Sequence, residues 1–143
     1  MKLRLLFCVL ALWVSMLACD AGTPKTFQKL DTSKWVSFEI REGVDFDRAW
    51  NMAIDIIIND FDLEMAQKED GYIRTAWLYA YGGPFRFDYR VRVTMRFSAD
   101  HKTLRVKTEA NLKDHENWIL GVDSRLVSTI KTDLMGTIGR TTR

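Results

Sequence analysis

The sequence of 143 residues has few cysteines, few prolines and no apolar run long enough to cross a membrane. Its cysteines are Cys8 and Cys19, so the chain beyond residue 19 cannot form an internal disulfide. The apolar stretch over residues 5–17 is shorter than the roughly 20 residues of a membrane-spanning helix. The formal net charge of +2 comes from Lys2 and Arg4, so the rest of the chain has no excess of either sign of charge. A nucleic-acid partner is therefore not expected, since it would require a strongly basic surface.

The sequence also lacks the residue patterns of the common enzyme classes. It contains no GxSxG, P-loop, HExxH, CxxC or calcium-loop motif. His101 falls in a predicted turn, where an imidazole is usually solvated. The stretch Asp114-His115-Glu116-Asn117 groups possible metal ligands, but zinc needs about three or four ligands in fixed geometry, and neighbouring loop residues do not reach one centre well. We therefore expect no catalysis, no metal and no other cofactor.

The first residues have the composition of an export signal. Lys2 and Arg4 precede an apolar stretch whose length fits the about 7–15 residues typical of a secretory signal peptide. A buried core helix is the alternative, but such a helix would carry a polar stripe, and residues 5–14 are apolar all round. We therefore predict a signal peptide over residues 1–18.

The signal ends in MLAC, which resembles the bacterial lipobox, an aliphatic-rich triplet before an obligatory cysteine. Cleavage by an ordinary signal peptidase near Ala18 is the alternative. Because Cys19 would have no partner thiol in the processed chain, lipidation is the use that the resemblance implies for it. We expect residues 19–33 to form the lipidated N-terminus and a flexible tether, and residues 34–143 to form one domain. The protein would then be held on a membrane of the bacterial cell envelope, facing the periplasm.

Hydrophobic patterning predicts an α+β domain with the element order β-α-β-β-β-β-α. The first strand is WVSFEI, and a helix with one apolar stripe follows over residues 46–61. Four strands come next, namely DLEMAQKE, YIRTAWLYAY, FRFDYRVRVTMRFS and TLRVKTEANL. A second amphipathic helix spans residues 122–138. Both helices must bury their stripes, so we expect them on one face of an antiparallel sheet of about five strands, with the other face open to solvent.

This order and several segments resemble the helix-grip lipoprotein domains of the BamC (NlpB) type, accessories of outer-membrane protein assembly. The matching segments are WVSFEI, the helix FDRAWNMAIDIIINDF, the acidic strand DLEMAQKE, the turn GYIRT with Trp77 beyond it, the strand YRVRVTMRF and the closing helix. The resemblance covers residues 34–139. BamC-type proteins have two such domains and a long N-terminal segment, whereas this sequence has room for one domain and a short tether.

The resemblance implies a non-catalytic scaffold that binds envelope proteins. It also implies the outer membrane. Asp20, directly after the anchor, instead resembles the signal that keeps lipoproteins of enteric bacteria on the inner membrane. The choice of membrane therefore stays open at this point. A small-molecule or lipid carrier is the alternative function, although the bulky inward residues favour a filled interior.

Two groups of residues are candidate binding surfaces. Five cations share the outward parity of two neighbouring strands: Arg90, Arg92, Arg96, Arg105 and Lys107. They are either solvated charges or a contact for acidic protein patches or phosphate-bearing headgroups, which arginine binds bidentately. The second group consists of Trp77, Tyr79 and Tyr81, with Phe85 and Phe87 beyond the Gly-Gly-Pro break in the loop YGGPFRF. Trp77, Tyr79 and Tyr81 belong to the core unless their strand extends beyond the helices, in which case Tyr79, Tyr81 and Phe85 are exposed anchors for a partner.

Overall fold

Seven antiparallel strands and two helices form the part of the chain that the computed structural model describes, residues 22–140. In chain order the elements are β1 (Phe27–Lys29), β2 (Val36–Glu39), α1 (Phe46–Ile58), β3 (Leu63–Gln67), β4 (Tyr72–Thr75), β5 (Tyr89–Phe97), β6 (Thr103–Asp114), β7 (Asn117–Asp123) and α2 (Ser124–Thr137). The predicted signal peptide, Cys19 and Asp20 lie outside the described residues. The α+β class, the single antiparallel sheet and the two helices are confirmed, and the sheet has more strands than the sequence predicts.

The sheet is built around β6, its longest strand. Along the sheet the strands are ordered β1-β7-β6-β5-β4-β3, and β2 is an additional partner of β6. β5 pairs with one edge of β6, from Phe97 opposite Leu104 to Tyr89 opposite Leu112. The other edge is shared, because β2 pairs with residues 103–106 and β7 with residues 110–114. Residues 107–109 of β6 therefore lie opposite a gap between β2 and β7.

Both helices pack on the face of the sheet where the alternating residues of β5 and β6 are apolar. The inward residues of β5 are at most 4% exposed: Tyr89, Val91, Val93, Met95 and Phe97. The helices bury one stripe each: Ala49, Trp50, Ala53 and Ile57 on α1, and Leu126, Ile130 and Leu134 on α2. All of these residues belong to one core cluster. Since burying a large apolar side chain contributes about 1.5–3 kcal/mol, this core is the main source of stability.

β1 lies inside the segment that the sequence assigns to the tether, which corrects the start of the folded region. It pairs with β7 from Phe27 opposite Asp123 to Lys29 opposite Gly121. Phe27 packs edge-on against Tyr89, with ring centroids 6.1 Å apart. One phenylalanine in a polar segment has no periodicity, so no pattern in the sequence marks this strand.

Other boundaries also differ from the prediction. The strand predicted as YIRTAWLYAY ends at Thr75, and beyond it Leu78 forms an isolated bridge to Val91. Residues 117–123, predicted as a loop and a helix start, form β7, because a short apolar run such as WILGV does not distinguish a strand from a helix by periodicity. α1 ends at Ile58 rather than at residue 61.

Asp123 joins β1, β5 and α2 through one buried carboxylate. Its Oδ1 accepts hydrogen bonds from the backbone N–H groups of Arg125 and Leu126, each at 3.0 Å, which makes Asp123 the N-cap of α2. Its Oδ2 accepts from the hydroxyls of Thr26 at 2.6 Å and Tyr89 at 2.5 Å. Burial, and then the hydrogen bond to Asp123, raise the pKa of Tyr89 above its ordinary value, so the phenol stays a donor. Four donors thus satisfy a carboxylate that is 2% exposed.

Gly121 allows β1 to approach β7 closely. A Cβ at this position would overlap the carbonyl oxygen of Gln28 and lie 2.5 Å from the ring of Phe27. We expect Gly121→Ala to lower the free energy of unfolding by about 1–3 kcal/mol, the usual cost of overpacking. Urea unfolding measures this change. The control is Gly136→Ala on α2, where nothing lies within 4 Å of the added Cβ and alanine should stabilise the helix by about 0.5–1 kcal/mol. Equal effects of the two substitutions would contradict the packing of β1 on β7.

Candidate interaction surfaces

The face of the sheet without helices carries the five cations that the sequence singles out. β5 and β6 place Arg92 opposite Glu109 and Arg96 opposite Arg105. The structure thus brings the predicted group together on two adjacent strands. Like charges that lie opposite each other on adjacent strands repel one another unless other groups compensate them. The compensation comes from Glu109 and from three tryptophans.

Two tryptophans contact Arg90 of β5, and one of them also contacts Arg92. The Cζ atom of Arg90 lies 4.3 Å from the ring centroid of Trp77 and 4.0 Å from that of Trp118. The Cζ atom of Arg92 lies 4.3 Å from the same Trp77 ring. Such cation–π contacts contribute about 0.5–1 kcal/mol at exposed sites and about 2 kcal/mol when they are desolvated. Both arginines are half-buried, so their contacts with tryptophan fall between these limits.

Glu109 neutralises two of the cations from a nearly buried position. Its Oε2 accepts from Nε of Arg92 at 2.9 Å, and its Oε1 lies 3.5 Å from Nζ of Lys107. The residue is 9% exposed, a degree of burial at which an unpaired carboxylate would be costly. Further along the face, the ring centroid of Trp35 lies 5.1 Å from Cζ of Arg105 and 5.5 Å from Nζ of Lys107.

The helix-free face is therefore less open than the sequence predicts. Arg90, Arg92 and Lys107 are half-buried, and they contact tryptophan rings or Glu109 within the domain. Arg96 and Arg105 remain exposed. Internal contacts thus account for most of the clustering, and a binding role of these cations stays a prediction.

Trp77 contacts two guanidinium groups, so its replacement tests this arrangement. We expect Trp77→Leu to lower the free energy of unfolding by about 1–4 kcal/mol, because two cation–π contacts are lost. Trp77→Phe should cost less, because a weaker π face remains. Trp35→Leu is the control and should cost less than about 1 kcal/mol, since Trp35 is 36% exposed and more distant from its cations. Urea unfolding of the three variants measures these changes. If Trp77→Leu lowers the free energy of unfolding no more than Trp35→Leu does, the cation–π contacts of Trp77 do not stabilise the domain.

The loop YGGPFRF exposes two phenylalanines. Phe85 is 57% exposed and Phe87 is 81% exposed, and the two rings stand edge-on with centroids 4.7 Å apart. Tyr79 packs against Phe85 at 5.8 Å, and Tyr81 packs on Phe61 at 6.2 Å. Of the three predicted aromatic anchors, Phe85 is thus at the surface. Tyr79 and Tyr81 are half-buried, so they are not exposed anchors.

The sequence places Phe87 in the aromatic group beyond the Gly-Gly-Pro break but does not single it out as an anchor, although it is the more exposed of the pair. In the sequence Phe87 shares the parity of Tyr89 and Val91, which are core residues. β5 begins at Tyr89, and parity has no meaning before the strand begins. The Gly-Gly-Pro break just upstream is the signal that separates Phe87 from that strand.

Hydrogen bonds hold this loop in place. Arg86 donates to both carboxylate oxygens of Asp88, from Nε at 2.9 Å and from Nη2 at 2.8 Å, and these bonds lower the pKa of Asp88 below its ordinary value. The backbone N–H of Arg86 donates to the carbonyl of Tyr79 at 2.9 Å. Its Nη1 donates to the carbonyl of Gly22 at 3.0 Å, so the beginning of the described chain lies beside the loop. A groove of about 400 Å³ separates this loop from the residues before β1.

A second, apolar cavity of about 190 Å³ lies between β2, β6 and α2. Its lining is aliphatic apart from Phe38, Thr108 and two lysines, Lys34 and Lys131. The bulky inward residues of the sequence predict a filled interior, and the structure corrects that expectation at this place. The cavity forms because β2 and β7 leave a gap along the edge of β6.

The two histidines occupy turns with left-handed backbone conformations. The ring of His101 stacks on Phe46 with centroids 3.7 Å apart, so it packs against α1 in addition to being solvated. Nε2 of His115 lies 3.8 Å from Oδ1 of Asp114, and its side chain is almost fully exposed. Within residues 22–140, no group of three or more His, Cys, Asp and Glu side chains is placed to hold a metal ion.

Neither α1 nor α2, the helices of the described part, is long and apolar enough to cross a membrane. Comparison with known proteins assigns no family, because no protein-family model and no curated protein matches the chain. The resemblance to BamC-type domains therefore stays a prediction from the segments that carry it.

Proposed function

We propose that this chain is a lipid-anchored lipoprotein of the bacterial envelope that acts by binding another protein and performs no catalysis. The observation that carries the proposal is the exposed pair of rings, Phe85 and Phe87, on a loop held by Arg86 and Asp88. The lipobox-like residues before Cys19 support the anchor. The resemblance to BamC-type domains supports outer-membrane protein assembly as the process that the protein serves.

The exposed rings have the properties of a binding hot spot. Burying one phenylalanine contributes about 1.5–3 kcal/mol, so burying both would supply several kcal/mol to a complex. Because hydrogen bonds already fix the loop, little conformational entropy is lost when a partner binds. Large aromatic residues surrounded by polar groups are typical of the centres of protein interfaces.

The charges beside the loop indicate an acidic rim on the partner. Lys25 and Arg125 line the adjacent groove, and both are exposed. Asp88 is already paired with Arg86, and Asp123 is buried under its four donors. A partner with carboxylates around an apolar patch would therefore be steered to this end of the domain.

The anchor and the loop would lie at the same end of the protein. Cys19 and Gly22 are three residues apart, and Gly22 is hydrogen-bonded to Arg86 of the loop. An extended chain spans about 3.5 Å per residue, so a lipid on Cys19 would be attached within roughly 10 Å of Gly22. The acyl chains suffice to hold the protein, because each buried methylene contributes about 0.8 kcal/mol. The rings are then available to a protein that is itself in or on the membrane.

Mass spectrometry of the protein extracted from membranes tests the anchor. We expect the native chain to begin at an acylated Cys19, and we expect Cys19→Ser to remain uncut and unmodified. Cys8→Ser is the control and should be processed like the native chain, because it lies within the predicted signal. A native chain that keeps residues 1–18, or that carries an unmodified thiol at Cys19, would refute the lipid anchor.

Photo-crosslinking in cells tests the binding surface. A photoreactive amino acid at Phe85 or Phe87 should form discrete adducts with one or a few envelope proteins, which mass spectrometry identifies. The same amino acid at Asp133, an exposed position of α2, is the control and should not form them. Adducts with lipid alone at both phenylalanine positions would contradict a protein partner.

The double variant Phe85→Ser/Phe87→Ser measures what the rings contribute. We expect its affinity for the captured protein to fall by at least about tenfold, because the buried aromatic area is lost. Its free energy of unfolding should change by no more than about 0.5 kcal/mol, since both rings are exposed. Unchanged affinity in a folded variant would rule out this loop as the contact.

A further inference from the structure

We propose that the apolar cavity between β2, β6 and α2 binds a medium-chain fatty acid, with the alkyl chain inside and the carboxylate held between Lys34 and Lys131. The cavity is lined by different residues from the YGGPFRF loop. The proposal depends neither on the anchor at Cys19 nor on the protein contact proposed for Phe85 and Phe87.

The sheet itself provides the entrance. β2 pairs with β6 up to Val36 opposite Val106, and β7 resumes the pairing at Gly121 opposite Ala110. A continuous strand at this edge would cover the space under α2, whereas the gap leaves it accessible from outside. Val36, which lines the cavity, is 41% exposed.

The size and lining of the cavity suit an alkyl chain. An apolar cavity of about 150 Å³ stays dry and accommodates benzene, so the present volume of about 190 Å³ has room for roughly six to eight carbon atoms. Thr108 is the one polar lining residue other than the lysines, and it is 8% exposed. A buried water needs about two to four polar partners, which this lining does not offer.

The two lysines select an anionic head group. Lys34 and Lys131 are exposed, and no acidic residue lines the cavity. Neither ammonium group forms a hydrogen bond or an ion pair with any residue in the described range 22–140. A carboxylate accepts hydrogen bonds from two ammonium groups, and these charge-assisted bonds are stronger than neutral ones. A cationic amphiphile would be repelled at the same place.

Photolabelling of the full chain in phospholipid nanodiscs tests the site. The probe is octanoate with a diazirine at the end of its alkyl chain, and labelled positions are mapped by mass spectrometry of peptides. We expect the label on β2 and on the segment of α2 that contains Val127 and Leu134. Unlabelled octanoate should displace the probe, whereas octyltrimethylammonium should not. A label elsewhere in the chain, or one that octanoate does not displace, would overturn the proposal.

Substitutions separate the head group from the chain in identical nanodiscs. We expect Lys34→Gln/Lys131→Gln to weaken displacement by octanoate about three- to tenfold and to leave displacement by octanol unchanged. The matched control is Lys29→Gln/Lys102→Gln, which removes two exposed lysines that do not line the cavity. Val127→Phe, which fills the cavity, should abolish labelling at the site. If the Lys34/Lys131 and Lys29/Lys102 variants weaken displacement to the same extent, the carboxylate is not bound as proposed. If an acyl group of the chain itself is found to occupy the cavity and prevents labelling, the proposal is also wrong.

Discussion

The structure depends on the length of β6 and on how its two edges are used. β5 pairs with one edge from Leu104 to Leu112, which fixes the alternation of both strands and separates an apolar face from a cationic one. The other edge is divided between β2 and β7, which reach it from opposite ends of the chain. The helices must therefore cover a sheet that is continuous on one side of β6 and interrupted on the other. Under α1 and β5 this produces a closed core, and beside α2 it leaves the apolar cavity.

The alternation of β5 and β6 explains why cations cluster on the helix-free face, and the explanation needs no bound ligand. Every second residue of two adjacent strands is brought to that face, and three tryptophans and Glu109 lie over or between them. Exposed salt bridges contribute little to stability, but stacked guanidinium groups and a nearly buried carboxylate contribute more because water is excluded from them. The cluster is thus largely part of what holds the domain together. Binding functions are better sought among groups that the fold leaves exposed, such as the rings of Phe85 and Phe87 or the ammonium groups beside the cavity.

Elements with long, regular patterns could be predicted from the sequence, and the others could not. α1 has an apolar stripe over its whole length, and β5 and β6 alternate strictly, so their types and inward faces follow from periodicity alone. β1 has a single apolar residue, and β7 is a short apolar run that fits a strand or a helix equally well. Parity also found the five cations, but not the rings of Trp77 and Trp118 that stack on Arg90, because contacts between distant segments leave no local signal. For the same reason the place and lining of the cavity, which joins residues from four parts of the chain, could not be predicted.

The segment over residues 22–34, which the sequence assigns up to residue 33 to a tether, takes part in both candidate surfaces. At its start the carbonyl of Gly22 accepts from Arg86 and so braces the loop that exposes the aromatic pair. In its middle, β1 extends the sheet, and Thr26 donates to the carboxylate of Asp123. At its end, Leu30 and Lys34 form part of the cavity wall before β2 begins. A linker that served only to separate a domain from a membrane would need none of these contacts. Their presence means that the same short stretch of chain holds the loop in place and forms part of the cavity wall.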